Sequence, residues 1–239
     1  MTTTAERRRY KTPPIEEALV EFHFAAGQEW DLTIPGKLHE RVKADYPASR
    51  QQMIVPPVPG FALPPGIGRV QLVDPEATRL LSLGPNVLSV NVLRPYEGWA
   101  LFRPRIERAL RAYLDVSGAE KVSRIGVRYI NRIAFTSEPM EITEYFEGGP
   151  PSPNGLPERV GGFVHRSEYG FDDGVKLVVT FASIPGPINS FLLDLDVIWE
   201  SAEALDFDAA MVKVEELHER EAVAFEALIK DKTREALNA

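Results

Sequence analysis

Three arginines recur with strand spacing in the middle of the chain, and arginine is the side chain best suited to pairing with carboxylates and phosphates. They are Arg124, Arg128 and Arg132, all within the segment 122–135. Because successive side chains of a strand point to opposite faces, these three even-numbered residues share one face. Each planar guanidinium donates two parallel hydrogen bonds to a carboxylate or a phosphate. The spacing therefore predicts a row of anion-pairing groups along one strand.

Acidic residues occur with the same spacing on two other predicted strands. Asp194 and Asp196 share one face of a strand near the end of the sheet-forming region. Glu21 and His23 project from the polar side of the first strand. If these strands are neighbours, facing opposite charges stabilise the sheet by about 0.2–1 kcal/mol per pair. Two interpretations stay open: an ion-pair ladder on a solvated face, or a groove that binds an anion or a peptide.

Asn131 interrupts the apolar face of the central strand, between Tyr129 and Ile133. A buried amide without partners costs about 1–3 kcal/mol. We therefore expect a structural role, in which Asn131 bonds to neighbouring backbone or to a helix end. A β-bulge that turns Asn131 outward is the alternative.

The sequence contains none of the common catalytic or metal-binding motifs. The 239 residues include four histidines and no cysteine, which excludes disulfides, thiolate nucleophiles and cysteine-ligated metals. The sequence contains no Gly-x-Ser-x-Gly elbow, no Gly-Lys-Ser/Thr phosphate loop and no histidine pair at zincin spacing. Asp194 and Asp196 alone are too few ligands for a divalent cation. We assign no catalytic residue and expect neither a metal nor a cofactor.

Charge and hydropathy bear on partners and location. The net charge of −8 repels phosphate backbones and disfavours nucleic acid as a partner. No apolar run approaches the roughly 20 residues that span a bilayer. The basic start, residues 7–11, lacks the apolar segment of a secretory signal. We expect a cytoplasmic protein that does not bind membranes.

Hydrophobic periodicity predicts an α+β fold. The predicted strands are Ile15–Phe24, a short one near Gln52–Val55, Arg69–Val73, Arg79–Leu83, Val87–Leu93, Val122–Phe135, Gly161–Glu168, Val175–Ala182 and Ser190–Trp199. The predicted helices are one that starts at 33–34 and ends before Pro47, one over Gly98–Val116, a short one within Met140–Glu147 and a long one from Phe207 to about Leu237. Segments 56–65 and 148–157, rich in proline and glycine, are predicted to be loops, the second of them mobile.

The order of these elements loosely repeats. It reads β-α-β4-α and then β-(α)-β3-α, which predicts pseudo-duplicated antiparallel meanders with helices on one face of a curved sheet that could be continuous. We divide the chain into a flexible N-terminal tail (1–12), an N-terminal α+β half (13–118) and a C-terminal α+β half that ends in a long helix (119–239). Two unrelated subdomains or a single irregular sheet are the alternatives.

Three segments resemble motifs of a sporadically distributed family of uncharacterised prokaryotic proteins. They are Pro13-Pro14-Ile15-Glu16-Glu17-Ala18 (PPIxEA), Gly126-Val127-Arg128-Tyr129-Ile130-Asn131-Arg132-Ile133 (GxRYxNRI) and Leu193-Asp194-Leu195-Asp196 (LDxD). The C-terminal Leu217-His218-Glu219 with Phe225 is similar to the final helix of that family. The motifs occur in order over nearly the whole chain. The resemblance implies no reaction, because no activity is assigned to the family.

Three functions are compatible with these residues. The leading hypothesis is a non-catalytic binding or assembly module, expected to be a homodimer or to bind a protein partner through the open sheet face and the long terminal helix. The alternative is an enzyme or a nucleotide- or anion-handling protein that uses Arg128, Arg132, Asp194 and Asp196. Single-strand nucleic-acid binding through the arginines and nearby aromatic residues is a weaker alternative.

Overall fold

The computed structural model describes residues 8–25, 30–52, 68–135, 140–149, 155, 161–186 and 188–239. The strands are β1 (Ile15–Phe24), β2 (Ala48–Gln52), β3 (Arg69–Val73), β4 (Arg79–Gly84), β5 (Val87–Leu93), β6 (Val122–Phe135), β7 (Val164–Gly170), β8 (Lys176–Ile184) and β9 (Asn189–Leu205). The helices are α1 (Ile34–Val42), α2 (Trp99–Ser117), α3 (Phe207–Leu228) and α4 (Asp231–Leu237), and a short 3-10 turn spans Ile142–Glu144.

The nine strands form a single antiparallel sheet. Its order is β2-β3-β4-β5-β1-β6-β9-β8-β7, so β1 and β6 meet in the middle. The predicted α+β class and element order are confirmed, and the strands of both parts of the chain belong to one continuous sheet.

Strict alternation in the central strands separates a core face from an open face. Phe22 of β1 is flanked by Leu88 of β5 and Ile125 of β6, and all three side chains are fully buried. The intervening residues, such as Glu21, point to the other face and remain partly exposed. Burial of the apolar face of the central strands supplies the main driving force for this arrangement.

The helices cover the core face. Tyr113 of α2 stacks on Phe24 with ring centroids 4.5 Å apart, and α3 packs against β6 and β9. As the sequence predicts, α2 ends at Gly118, whose left-handed backbone (φ 67°) allows its N–H to bond to Leu114 O. Leu101, which the helical spacing places with the apolar residues, is 52% exposed.

Three element boundaries differ most from the prediction: β9 continues to Leu205, six residues beyond the expected Trp199, and the other two belong to β2 and α3. The short strand expected near Gln52–Val55 begins earlier, at Ala48, and its later part lies outside the described residues. The long terminal helix ends at Leu228 instead of continuing to Leu237. Ile229 adopts an extended backbone, is buried and forms a bridge with Phe146, so a tertiary contact outweighs local helix preference.

Several predicted segments fall on residues that the structure does not describe. The loop expected at 56–65 lies entirely outside the described residues, as do most of the loop at 148–157 and residues 1–7 of the expected tail. Within the rest of that tail, Thr12 N donates to Leu237 O at 3.0 Å. In the parts of the chain that are described, no helix has the length and hydropathy needed to cross a bilayer.

Phe22 tests the central core. The substitution Phe22→Ala should lower the free energy of unfolding by about 3–5 kcal/mol, because it opens a cavity between fully buried neighbours. Leu101→Ala on the outer side of α2 is the control and should change it by less than about 0.5 kcal/mol. Urea unfolding of both variants measures the difference, and equal losses would contradict this description of the core.

Candidate functional site

A group of charged side chains lies on the open face where the two parts of the chain meet. We call it the charged belt: Glu21 of β1, Arg124 and Arg128 of β6, and Asp194 and Asp196 of β9. Pairing of β6 with both β1 and β9 brings these residues together. Because even-numbered residues of β6 face away from the helices, the belt lies on the side of the sheet opposite α2 and α3.

Arg128 and Asp194 form the strongest ion pair of the belt. Arg128 Nε donates to Asp194 Oδ1 at 2.8 Å, and Nη2 donates to Oδ2 at 2.6 Å. The Asp194 side chain is only 9% exposed, whereas that of Arg128 is 40% exposed. This bidentate ion pair offsets the free-energy cost of burying the carboxylate, because both carboxylate oxygens accept hydrogen bonds from a charged donor.

Glu21 connects three basic side chains. Its Oε1 lies 2.7 Å from His23 Nε2 and 3.4 Å from Arg124 Nη1, while Oε2 accepts from Arg69 Nη1 at 2.7 Å. Burial of the carboxyl alone would raise its pKa. The hydrogen bonds from His23 and Arg69 outweigh that effect and lower the pKa of Glu21 to about 2. Glu21 is therefore ionised at neutral pH.

Asp196 faces Arg128 in the strand register but does not bond to it, because the guanidinium reaches diagonally to Asp194. The Asp196 carboxylate is half-buried and accepts no hydrogen bond from any described residue. Burial raises its pKa to about 6, although the charges of Arg128 and Arg124 act to lower it. A Cβ on Gly126 would lie 3.4 Å from Asp196 Oδ1 and 3.9–4.0 Å from the terminal nitrogens of Arg124, so the glycine leaves a space that is bordered by the carboxylate and by that guanidinium.

Arg132 does not join the belt. It faces Leu192 of β9, four residues along β6 from Arg128, which corresponds to about 13 Å. Its side chain is exposed and makes no ion pair with any residue that the structure describes. The row of three predicted arginines is therefore split into two that pair with acids and one that does not.

Asn131 lies on the core face and is 2% exposed. Its Nδ2 donates to Leu193 O at 3.1 Å and, more weakly, to Tyr129 O at 3.4 Å. This is the backbone bonding expected from the cost of an unpaired buried amide.

A row of mostly buried polar side chains that the sequence reasoning missed lies on the same side of the N-terminal strands as the belt. Arg50 donates to Gln71, which donates to Ser82. Further along, Ser89 donates to Asn91, and Asn91 Nδ2 donates to Glu17 Oε1 at 2.7 Å. The two polar residues at alternate positions of β5, Ser89 and Asn91, are the signal that could have revealed this row, because the other five residues of the strand are apolar.

A second polar cluster lies inside the core. Tyr129 Oη is 3.1 Å from His218 Nδ1 and 2.9 Å from Tyr96 Oη, and the Trp99 ring stacks on His218 with centroids 3.6 Å apart. His218 is only 1% exposed. This cluster links α3 to β6; Tyr129 and His218 are buried in it, and Tyr96 and Trp99 are partly exposed at its edge.

The belt does not have the composition of a metal site. Within the described ranges, no group of three or more histidine, aspartate or glutamate residues is arranged to hold a metal ion. No protein-family model and no curated protein matches the sequence. The resemblance to an uncharacterised prokaryotic family stays a prediction.

Arg128 tests the main ion pair. The substitution Arg128→Ala should lower the free energy of unfolding by about 2–4 kcal/mol, because it leaves the Asp194 carboxylate buried without its partner. The matched control is Arg166→Ala, whose pair with Glu168 is more than half exposed and should cost less than about 1 kcal/mol. Adding Asp194→Ala to Arg128→Ala should restore part of the loss. Similar losses in the two single variants, measured by urea unfolding, would contradict the pair.

Asp196 tests the electrostatics of the belt. Its pKa rises from an ordinary 3.8 to about 6 on folding, so the folded protein binds the additional proton between these values. The free energy of unfolding therefore loses a contribution as pH rises from about 4 to about 6. Asparagine does not titrate, so Asp196→Asn should not show this fall in the free energy of unfolding. The variant should be about 1–3 kcal/mol more stable than the unchanged protein at pH 8 and differ little from it at pH 3.5. Parallel pH profiles of the two proteins in urea unfolding would disprove this assignment.

Proposed function

We propose that the protein is a non-catalytic binding module whose charged belt recognises a cationic segment of a protein partner. The observation that carries this proposal is Asp196, a half-buried carboxylate with no hydrogen-bond donor among the described residues and with space beside it. The partner would contribute the missing donor, a lysine ammonium or an arginine guanidinium.

The neighbours of Asp196 support a donor and not an acceptor as its ligand. Arg128 is engaged by both oxygens of Asp194, and Arg124 lies 3.4 Å from Glu21, a carboxylate that it shares with Arg69 and His23. A partly buried carboxylate without a donor costs about 1–3 kcal/mol, which a cationic ligand would recover on binding. The net charge of −8 additionally attracts cationic partners over distances of about one Debye length.

The geometry favours binding over the enzymatic alternative. That alternative requires Arg128, Arg132, Asp194 and Asp196 to converge on one pocket. Arg128 and Asp194 are hydrogen-bonded to each other, and Arg132 lies four residues further along the same strand. Single-strand nucleic-acid binding is disfavoured by the net charge of −8.

The two halves of the chain are, we infer, copies of one structural unit. The strand order supports this: outward from the junction, β1-β5-β4-β3 on one side corresponds to β6-β9-β8-β7 on the other. Each set also begins with the junction strand and is followed in sequence by a long helix, α2 or α3. The belt would then lie at the boundary between the copies. A homodimer and a cytoplasmic location stay predictions of the sequence.

A tetra-arginine peptide is the probe that tests the proposed function. Isothermal titration should show that it binds the protein, and Asp196→Asn should weaken that binding about tenfold, which corresponds to one charge-assisted hydrogen bond. Asp172→Asn is the matched control, because it removes the same charge from an exposed turn outside the belt and should change binding much less. A tetra-glutamate peptide should not bind.

The proposal is wrong if Asp196→Asn and Asp172→Asn bind the tetra-arginine peptide equally well. That result would assign any affinity to the overall negative charge of the molecule. Measuring the melting temperature of each variant beforehand shows that a loss of binding is not a loss of folding.

A further inference from the structure

A small cavity lies on the core side of the sheet, where α1, α2 and β4 meet. Its volume is about 50 Å³, and it is lined by Val42, Asp45, Tyr46, Arg79, Leu81, Arg105, Arg108 and Ala109. On this scale a water molecule needs about 10–15 Å³, so the cavity has room for roughly three to five waters. That space suits a small ion and is too small for a nucleotide.

Three guanidinium groups line this cavity, and most of their N–H donors bond to no residue that the structure describes. Arg79 donates through Nε to Asp74 Oδ2 at 2.9 Å, and its two terminal nitrogens meet no acceptor in the described part of the chain. Arg105, only 13% exposed, pairs through Nη1 with Glu97. Arg108 forms no ion pair with a described residue. The unused nitrogens are available to an anion.

Tyr46 adds a neutral donor. Its side chain is buried, with a residue exposure of 6%, and its hydroxyl bonds to no described residue. Burial raises the pKa of Tyr46, against the lowering effect of the Arg105 and Arg79 charges, so the phenol keeps its proton at neutral pH. The hydroxyl oxygen itself is not fully buried, so an oxygen ligand in the cavity could accept its hydrogen bond.

Three carboxylates lie near the cavity, those of Asp74, Asp45 and Glu97, and Glu97 pairs with Arg105. The side chain of Asp74 is fully buried, and it accepts hydrogen bonds from the backbone of Thr78 and Arg79 as well as from Arg79 Nε. The negative charge of Asp74 is therefore balanced within the turn between β3 and β4. Asp45 is the only acid among the lining residues that the structure describes, and it is exposed, so water screens its charge.

We propose that this cavity is a binding site for a small oxyanion of the phosphate type, held by Arg79, Arg105 and Arg108 with the Tyr46 hydroxyl. Guanidinium groups pair with tetrahedral oxyanions through parallel hydrogen bonds, and the phenol supplies one more. The site is on the opposite side of the sheet from the charged belt and does not depend on the proposed function.

Isothermal titration with inorganic phosphate, at constant ionic strength maintained with chloride, tests the site. The unchanged protein should bind phosphate saturably. Arg108→Gln and Tyr46→Phe should each weaken binding about tenfold, since each removes one hydrogen-bond donor to a charged ligand. Arg111→Gln is the control: it removes an arginine of the same helix that does not line the cavity and should leave the affinity unchanged.

Two further measurements complete the experiment. Melting curves without phosphate should show that Arg108→Gln folds normally, because Arg108 is exposed. Titration with phenyl phosphate distinguishes the source of the anion: comparable affinity indicates the phosphate group of a larger molecule, and much weaker affinity indicates the free ion. The proposal is overturned if phosphate does not bind saturably, or if Arg108→Gln and Arg111→Gln bind it equally.

Discussion

The register between β6 and its two neighbours is the constraint on which the rest of the structure depends. Each residue of β6 belongs to one face, so a shift of one position would exchange the faces. Val127 and Tyr129 would then turn to solvent, and Arg128 would enter the core. The apolar packing on one side and the Arg128–Asp194 pair on the other therefore specify the same register. Agreement between the two faces makes the junction unambiguous.

This register also explains why the belt is only partly neutralised. A guanidinium on β6 reaches either the acid opposite or the acid two residues along β9. Arg128 takes the diagonal position, where its Nε and Nη2 donate to the two oxygens of Asp194 at 2.8 and 2.6 Å, and Asp196 is left beside Gly126. Ion pairing on a sheet thus provides stability and, at the same position, leaves a carboxylate with an unused capacity to accept hydrogen bonds.

The sequence predicted the bounds of a strand well where apolar residues on one face alternate with polar residues on the other. The bounds of β1, β5 and β6 were predictable because apolar and polar residues alternate through them. The early start of β2 was not predictable, since an edge strand of polar residues carries little hydrophobic signal. The end of α3 depends on a contact between Ile229 and a residue 83 positions earlier in the chain, Phe146, which no local pattern contains.

The site was predictable in its residue types and not in its pairings. Spacing placed Arg124, Arg128, Asp194 and Asp196 on the open face. Whether Arg128 pairs with Asp194 or with Asp196 depends on the order of the strands and on the conformation of the arginine side chain in the folded sheet. The link from Arg69 to Glu21 joins strands that are separated by β4 and β5 in the sheet, so it follows only from the folded arrangement.

The sheet is open, and its two outer strands, β2 and β7, each have one hydrogen-bonded neighbour. Along β7 the side chains include Arg166 and Glu168, both exposed and paired with each other. An incoming strand from another molecule would have to desolvate these charges before its backbone could pair. The charges along β7 therefore discourage the addition of a further strand at that edge of the sheet.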